Sequence, residues 1–515
     1  MGTLRAVILS CAFCAATAAA ESQVVDAVKS ADRQAALALI EQHADVRATE
    51  PDGTTALHWA AFNRDPVLVD RLLRAGADAN AVNDYGATPL AVAAVDPDPA
   101  ILASLLRAGA HVESANAEGE TALMVVARSG NLEAARVLLQ RRADVNAVEQ
   151  WGGQTALMWA TARQHPDMVR LLIKSGANVN ARATVREWPR RITAEGRPKD
   201  LLRAGLTPLL YAAREGCIEC ARHLLAAGAD INLPDPDGTT PLVIALMNLH
   251  FDFARFLIEA GADVNRWDFF GRTPLYVAVD MNTLPRGGRA DLPSLDDTPA
   301  LAIAALLLQR GANPNAQLKL RPPYRNVVND RGGDNLLSTG ATPLLLAAKV
   351  GDAEAITMLL KAGALIELPT ATGVTPLMAA AGMGHSFNPT RGRFKTDAQA
   401  LEVVRLLKEA GGQVNVQSGN GTTALHAAAA HGWNETIKYL VASGAALETR
   451  DGKGLAPIDH AAGKHEREFL EPEHPRRADT MALLTEYIVA ATGRQPIEFA
   501  GTFNVAVKGT PGGAK

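Results

Sequence analysis

Three short strings carry residue types that do chemistry. "GTTALHWAA" (53–61) sets His58 beside two threonines and a tryptophan, and "GTTALHAAA" (421–429) repeats the arrangement with His426. A histidine is the usual general acid or base near neutral pH, and a neighbouring hydroxyl is its usual partner. "CIEC" (217–220) spaces Cys217 and Cys220 as a C-x-x-C pair at the start of an apolar helical segment. That spacing suits a structural bridge, a disulfide that tunes one turn, a pair of buried thiols, or redox exchange. Ala221 follows where haem attachment would need a histidine. "HEREF" (465–469) begins like a zinc-hydrolase helix, but Phe469 stands where the second histidine ligand must come. No Gly-rich phosphate loop ending in Gly-Lys-Ser/Thr and no Gly-x-Ser-x-Gly elbow occurs in the chain.

The elements that would position these groups come from an internal repeat. Thr55, Thr88, Thr121 and Thr155 follow one another at spacings of 33, 33 and 34. Thr207, Thr240 and Thr273 keep 33; so do Thr342 and Thr375, and Thr423 with its degenerate counterpart Ala456, which makes eleven copies. Most copies place a glycine two residues before the threonine, which suits a tight turn. The threonine predicts a helix N-cap, and proline often follows at the first helical position, where its missing N–H matters least. A short Ala-rich helix is followed by a second, amphipathic one that stops at a glycine such as Gly76, Gly109 or Gly176. Arg142 takes that place in one copy, so its turn is expected to be strained or closed differently.

This pattern resembles the ankyrin repeat, whose signature is Thr-Pro-Leu-His-x-Ala at a period of about 33 residues. The resemblance implies an all-α solenoid of helix-turn-helix units with β-turn fingers: about eleven repeats across residues 51–490 and an N-terminal capping repeat at 21–50. It also implies a scaffold role for His58 and His426, since the other copies put Ala91, Met124, Met158, Leu210 or Asp459 at the same position. The chain bears only 4 cysteines, so disulfides are not expected to build the fold.

Residues 1–20 stand apart, with Arg5, an apolar run and Ala18-Ala19-Ala20 before Glu21. This is the layout of a secretory signal peptide, and the run falls short of the ~20 residues that span a bilayer. Export is therefore expected, to a periplasm in first place, with secretion as the other outcome. A net charge of −4 gives no argument for nucleic acid, and no other apolar run has membrane length. No cofactor or metal is expected.

Long loop insertions are expected near 184–202, 281–297, 318–337 and 383–397, with a non-helical tail at 491–515. Two of them lie between Gly176 and Thr207 and between Gly311 and Thr342. The offset is 31 in both, against 12 from Gly76 to Thr88, so each adds 19. They carry Trp188, Arg190 and Arg191 in "REWPRR", and Tyr324 and Arg325 in "RPPYRN". The finger between them, "NRWDFFGRTPL", crowds Trp267, Phe269 and Phe270 at a turn that is normally polar. Exposed aromatics beside arginine are what binding hot spots use; the alternative is that the long loops fold back over them. About seven residues after the repeat threonine stand Arg128, Arg163, Arg214 and Lys349, expected to line the groove. These residues are the candidate binding set for a protein partner, and no catalytic residue is proposed. The competing expectations are an enzyme with a pocket formed by the long loops of repeats four to nine, and a secreted effector.

Overall fold

Most of the repeat threonines do what their type predicts. Thr55, Thr88, Thr155, Thr207, Thr240, Thr342 and Thr375 accept the N–H three residues on and start a helix. Thr121 starts its helix, Ala122–Ser129, without a side-chain cap bond. The computed structural model describes residues 23–186, 191–192, 198–199, 204–282, 296–322, 336–384, 395–464, 477–497 and 499. Among these residues lie twelve helix pairs: a cap formed by Gln23–Lys29 and Arg33–Glu41, and eleven repeats from Ala56–Phe62 to Ala478–Thr492. The first 22 residues, with the predicted signal peptide, lie outside the described part, as does most of the tail.

The chain divides into two compact units between Asp237 and Gly238. The first holds the cap and repeats one to five. Its successive first helices pack on one another, as do its second helices. Leu57, Leu90, Leu123, Leu157 and Leu209, each two residues after the threonine, are buried in that stack. So are Leu72, Leu105, Leu138, Leu172 and Leu224 of the second helices. Full burial of such a side chain contributes roughly 1.5–3 kcal/mol, and each side chain is covered only by its own and adjoining repeats. The second unit, repeats six to eleven, is built alike around Leu242, Leu275, Leu344, Leu377, Leu425 and Ile458.

Three details differ from the sequence expectations. The insertion near 184–202 contains a two-stranded antiparallel ribbon, Arg191–Ile192 against Pro198–Lys199, within an otherwise helical fold. The last helix runs to Thr492, two residues into the predicted tail. Repeat eleven also has a long connection, between Pro457–Ala461 and Ala478–Thr492, that the repeat spacing alone did not reveal.

Arg142 adopts the left-handed conformation that glycine takes elsewhere, with φ 63° against 95° at Gly76 and 92° at Gly109. An L-residue there costs roughly 1–2 kcal/mol, and glycine returns roughly 0.5–1 kcal/mol of that through its freer unfolded chain. Arg142→Gly is therefore expected to stabilise the first unit by about 0.5–1 kcal/mol in urea melts. A lower midpoint would mean that the exposed arginine side chain contributes more than its backbone loses.

The asparagines of the "ADVN" strings form a clamp between repeats. Asn146 donates to the Gly176 carbonyl at 3.1 Å and accepts from the Asn178 N–H at 2.7 Å. Asn80, Asn180, Asn265, Asn315 and Asn415 each bridge to the next repeat in the same way. Each such bond is worth roughly 0.5–1.5 kcal/mol. Asn146→Ala should thus destabilise the first unit by about 1–2 kcal/mol, and Asn146→Asp, which keeps only the acceptor, by about half as much.

Candidate functional site

The two histidines are structural. His58 Nδ1 accepts the Thr55 N–H at 3.2 Å, and Nε2 lies 3.0 Å from the Ala87 carbonyl of the next repeat. That pattern assigns the proton to Nε2 and leaves both nitrogens occupied. His426 repeats it with Thr423 at 3.1 Å and the Leu455 carbonyl at 3.1 Å. Burial holds both rings below the ordinary histidine range, and His426, with His460 also close by, is lowered to about 4. Neutral rings pinned between two repeats are unsuited to proton transfer. In the last repeat Asp459 does the same work, its Oδ2 accepting the Ala456 N–H at 3.0 Å.

Cys217 caps the helix Ile218–Ala226, and its sulfur is bonded to that of Cys220. Both cysteines are buried. "HEREF" lies outside the described residues.

The finger of repeat seven is built on a buried carboxylate. Asp268 Oδ1 accepts the N–H groups of Phe270 and Arg272 at 3.0 and 2.9 Å, and Oδ2 accepts Arg272 Nε at 2.6 Å. Gly271 closes the turn with φ 84°, and a Cβ there would lie 2.6 Å from Lys319 N. The rings of Phe269 and Phe270 meet edge to face at 5.3 Å, and the Arg272 guanidinium lies 5.3 Å from the Phe270 ring centroid. The stem of the second long insertion runs alongside. Lys319 N–H donates to the Phe270 carbonyl at 2.9 Å, and Lys319 Nζ stands 4.1 Å over the Trp267 ring. With that stem in place Trp267 and Phe269 remain 53% and 51% exposed, and Phe270 is half-buried.

Of the other candidates, Trp188, Arg190, Tyr324 and Arg325 lie outside the described residues, and Arg191 is described only as part of the ribbon backbone. Arg128 pairs with Glu120 at 3.0 Å and lies 5.1 Å from the Trp159 ring centroid. Arg214 pairs with Glu215 at 2.7 Å and lies 4.9 Å from the Tyr211 ring. Arg163 is exposed but stands eight residues after Thr155, with Ala162 in the seventh place. Lys349 departs from expectation: it is buried rather than on the groove.

Several contact-type residues escaped the sequence reading. Trp151, 71% exposed, tips the finger of repeat four, which is held by a buried Glu149 accepting from the N–H groups of Trp151, Gly152 and Gln154 at 2.6, 2.8 and 2.9 Å. The available signal was the spacing of 34 between Thr121 and Thr155. Tyr85 tips another finger, and Phe62 and Val95 stand exposed on first helices. Among the described residues no group of three or more His, Cys, Asp or Glu converges on a metal-binding geometry, and no helix is long and apolar enough to cross a membrane.

Comparison with known families agrees with this geometry. The family described as "Ankyrin repeats (3 copies)" matches residues 24–116, 95–183, 209–318 and 396–471, and "Ankyrin repeat" matches 339–371. The chain belongs to the ankyrin-repeat family. Among individual proteins it is 34% identical over 113 residues to mouse Ankyrin repeat and SOCS box protein 6, a match covering 22% of this chain and 23% of that one. It is 35% identical over 100 residues to the rice protein named Probable E3 ubiquitin-protein ligase XBOS33, covering 19% and 16%. The mouse B-cell lymphoma 3 protein homolog is 32% identical over 105 residues, covering 20% and 19%. The chain thus spans under a quarter of the length of these relatives. The human ASB11 ankyrin repeat domain is 23% identical with a TM-score of 0.37, covering 46% of this chain and 96% of that one.

Proposed function

We propose that this chain is a non-catalytic protein-binding scaffold of a bacterial envelope, holding an exported or envelope protein through the enlarged fingers and groove of its middle repeats. The observation that carries the reading is the finger at Trp267–Arg272, where a buried carboxylate and a glycine turn hold two half-exposed aromatic rings in fixed positions. Such rings supply contact area at little entropic cost on binding. Export is supported by the signal-peptide layout of residues 1–20 and by the bonded Cys217–Cys220 pair, which suits an oxidising compartment. The ubiquitin-ligase and SOCS-box names belong to relatives matched only within their repeats and are not carried over.

Replacing Trp267, Phe269 and Phe270 together by serine should lower the melting temperature by no more than about 5 °C and reduce capture of a partner from a periplasmic extract at least tenfold. A large fall in stability with capture unchanged would make the rings part of the core and remove the reading. Fractionation provides the second arm: the native chain should be recovered outside the cytoplasm without residues 1–20, and a chain retained in the cytoplasm would overturn the export part.

A further inference from the structure

The first-helix face of repeats one to five changes character along its length. In repeats one and two it presents Phe62 and Val95, which are 66% and 69% exposed. In repeats three and five it presents Arg128 and Arg214, set against the rings of Trp159 and Tyr211, and in repeat four the exposed C-cap residue Arg163 follows one place beyond that row. All lie in the first unit, on or at the C-terminal end of first helices that pack in sequence. We propose that this face holds an extended peptide segment of a protein partner, apolar where it meets Phe62 and Val95 and rich in carboxylates where it meets the three arginines. The proposal rests on the reading of the chain as a protein-binding scaffold and names the chemistry of what it binds.

Three observations support it. Phe62 and Val95 hold the same place in adjoining repeats, seven residues after Thr55 and Thr88, so the two exposed side chains stand on one face. At the other end the arginines are held by ring contacts as well as by Glu120 and Glu215, while Arg163 has no ion-pair partner among the described residues. Carboxylates of a partner meet an exposed cation at Arg163 and share those at Arg128 and Arg214, which fixes register and speeds encounter more than it raises affinity. In the middle of the face the buried indole N–H of Trp159 has no acceptor among the described residues. First helices about 8–10 Å apart give roughly 32–40 Å between the rows of Phe62 and Arg214. An extended chain at about 3.3–3.6 Å per residue covers that with roughly ten to twelve residues.

The test uses the full chain and synthetic twelve-residue peptides, read by fluorescence anisotropy: half Leu/Phe and half Glu in both orders, the same composition scrambled, and a version with Lys for Glu. The apolar–acidic blocks should bind, one order at least fivefold tighter than the other, and the Lys version should not. Phe62→Ser with Val95→Ser should weaken binding at least tenfold. Arg163→Glu with Arg214→Glu should also weaken the Glu peptide tenfold and allow the Lys peptide to bind. Unaltered circular-dichroism melts of both double variants show that the fold is intact. No binding up to millimolar peptide, binding of scrambled and block peptides alike, or binding indifferent to both double variants would each overturn the proposal. The finger variant at Trp267, Phe269 and Phe270 serves as the control, because it tests the scaffold reading in the other unit. Loss of partner capture there with peptide binding retained, or the reverse, shows which of the two has failed.

Discussion

Lys395→Met is expected to lower the stability of the second unit by about 2–3 kcal/mol and to open it to proteases between repeats eight and ten. Lys395 is buried just before the helix Asp397–Glu409. Its Nζ donates to the carbonyls of Ala348, Ala379 and Ala380 at 3.0, 3.0 and 2.6 Å. These belong to the C-terminal ends of two first helices, Pro343–Val350 and the five-residue Pro376–Ala380. The last carbonyls of a helix lack partners within it, and a cation there also meets the negative end of the helix dipole. Methionine keeps most of the stem's packing and removes all three donors. Leaving a buried acceptor unmet costs roughly 1–3 kcal/mol, and release of the buried ammonium offsets part of that. Burial first, and then the charge of Lys349, push the Lys395 pKa well below the ordinary lysine value of 10.5. The unfolded chain therefore binds a proton that the folded chain sheds in the window between that lowered value and 10.5. Wild-type stability should rise with pH through this window relative to Lys395→Met. Equal urea midpoints for the two chains at pH 7.5, or a gap that narrows on raising the pH, would refute this account.

The repeat was legible because each copy writes its own boundaries. A threonine cap, a proline at the first helical position and a terminal glycine recur at fixed offsets, and local chemistry forces the same turn each time. Even the exception at Arg142 was readable, since a residue in a glycine's place must take a glycine's φ. The asparagine clamp was present as a signal in the sequence, at Asn80, Asn146, Asn180, Asn265, Asn315 and Asn415. A turn accepts Asn, Asp or Ser, so asparagine recurring at one offset said more than a turn requires. Trp151 was visible in the same sense, as one extra residue in one finger. Lys395 was not legible. A lone lysine at the end of a polar insertion reads as solvated, and its burial depends on a first helix cut to Pro376–Ala380 and on Trp433 of the next repeat, whose ring centroid lies 5.4 Å from Nζ. Lys349 was misplaced for a related reason: its offset matches the groove positions, but its environment is set by the neighbours that the insertion brings in. Spacing reports what each repeat does for itself, and insertions change what is packed against it.

Acidification should loosen repeats ten and eleven before it affects most of the chain. His426 sits under His460, with ring centroids 4.9 Å apart, and His460 Nε2 lies 3.0 Å from Asp451 Oδ2. His426 is lowered to about 4, first by burial and then by the charge of His460. The unfolded chain takes up a proton near pH 6.5 that the folded chain refuses until about pH 4. The stability that depends on a neutral His426 is thus complete above pH 6.5, declines as the pH falls, and levels off near 4. A gap of about two and a half units at about 1.4 kcal/mol each amounts to about 3 kcal/mol. His58, also held low by burial, adds a term of the same sign in the first unit. Trp433 is buried beside His431 and reports locally through its fluorescence. Between pH 7.5 and 4 the urea midpoint read from Trp433 should fall by an amount equivalent to about 3 kcal/mol. In His426→Ala the midpoint should begin lower by about 2 kcal/mol, through loss of the cap and of the bond to Leu455. It should then change much less with pH. A wild-type slope that survives in His426→Ala would place the titrating group elsewhere. A flat wild-type profile would mean that the folded ring takes up its second proton as readily as the unfolded chain does, so that burial does not hold it neutral.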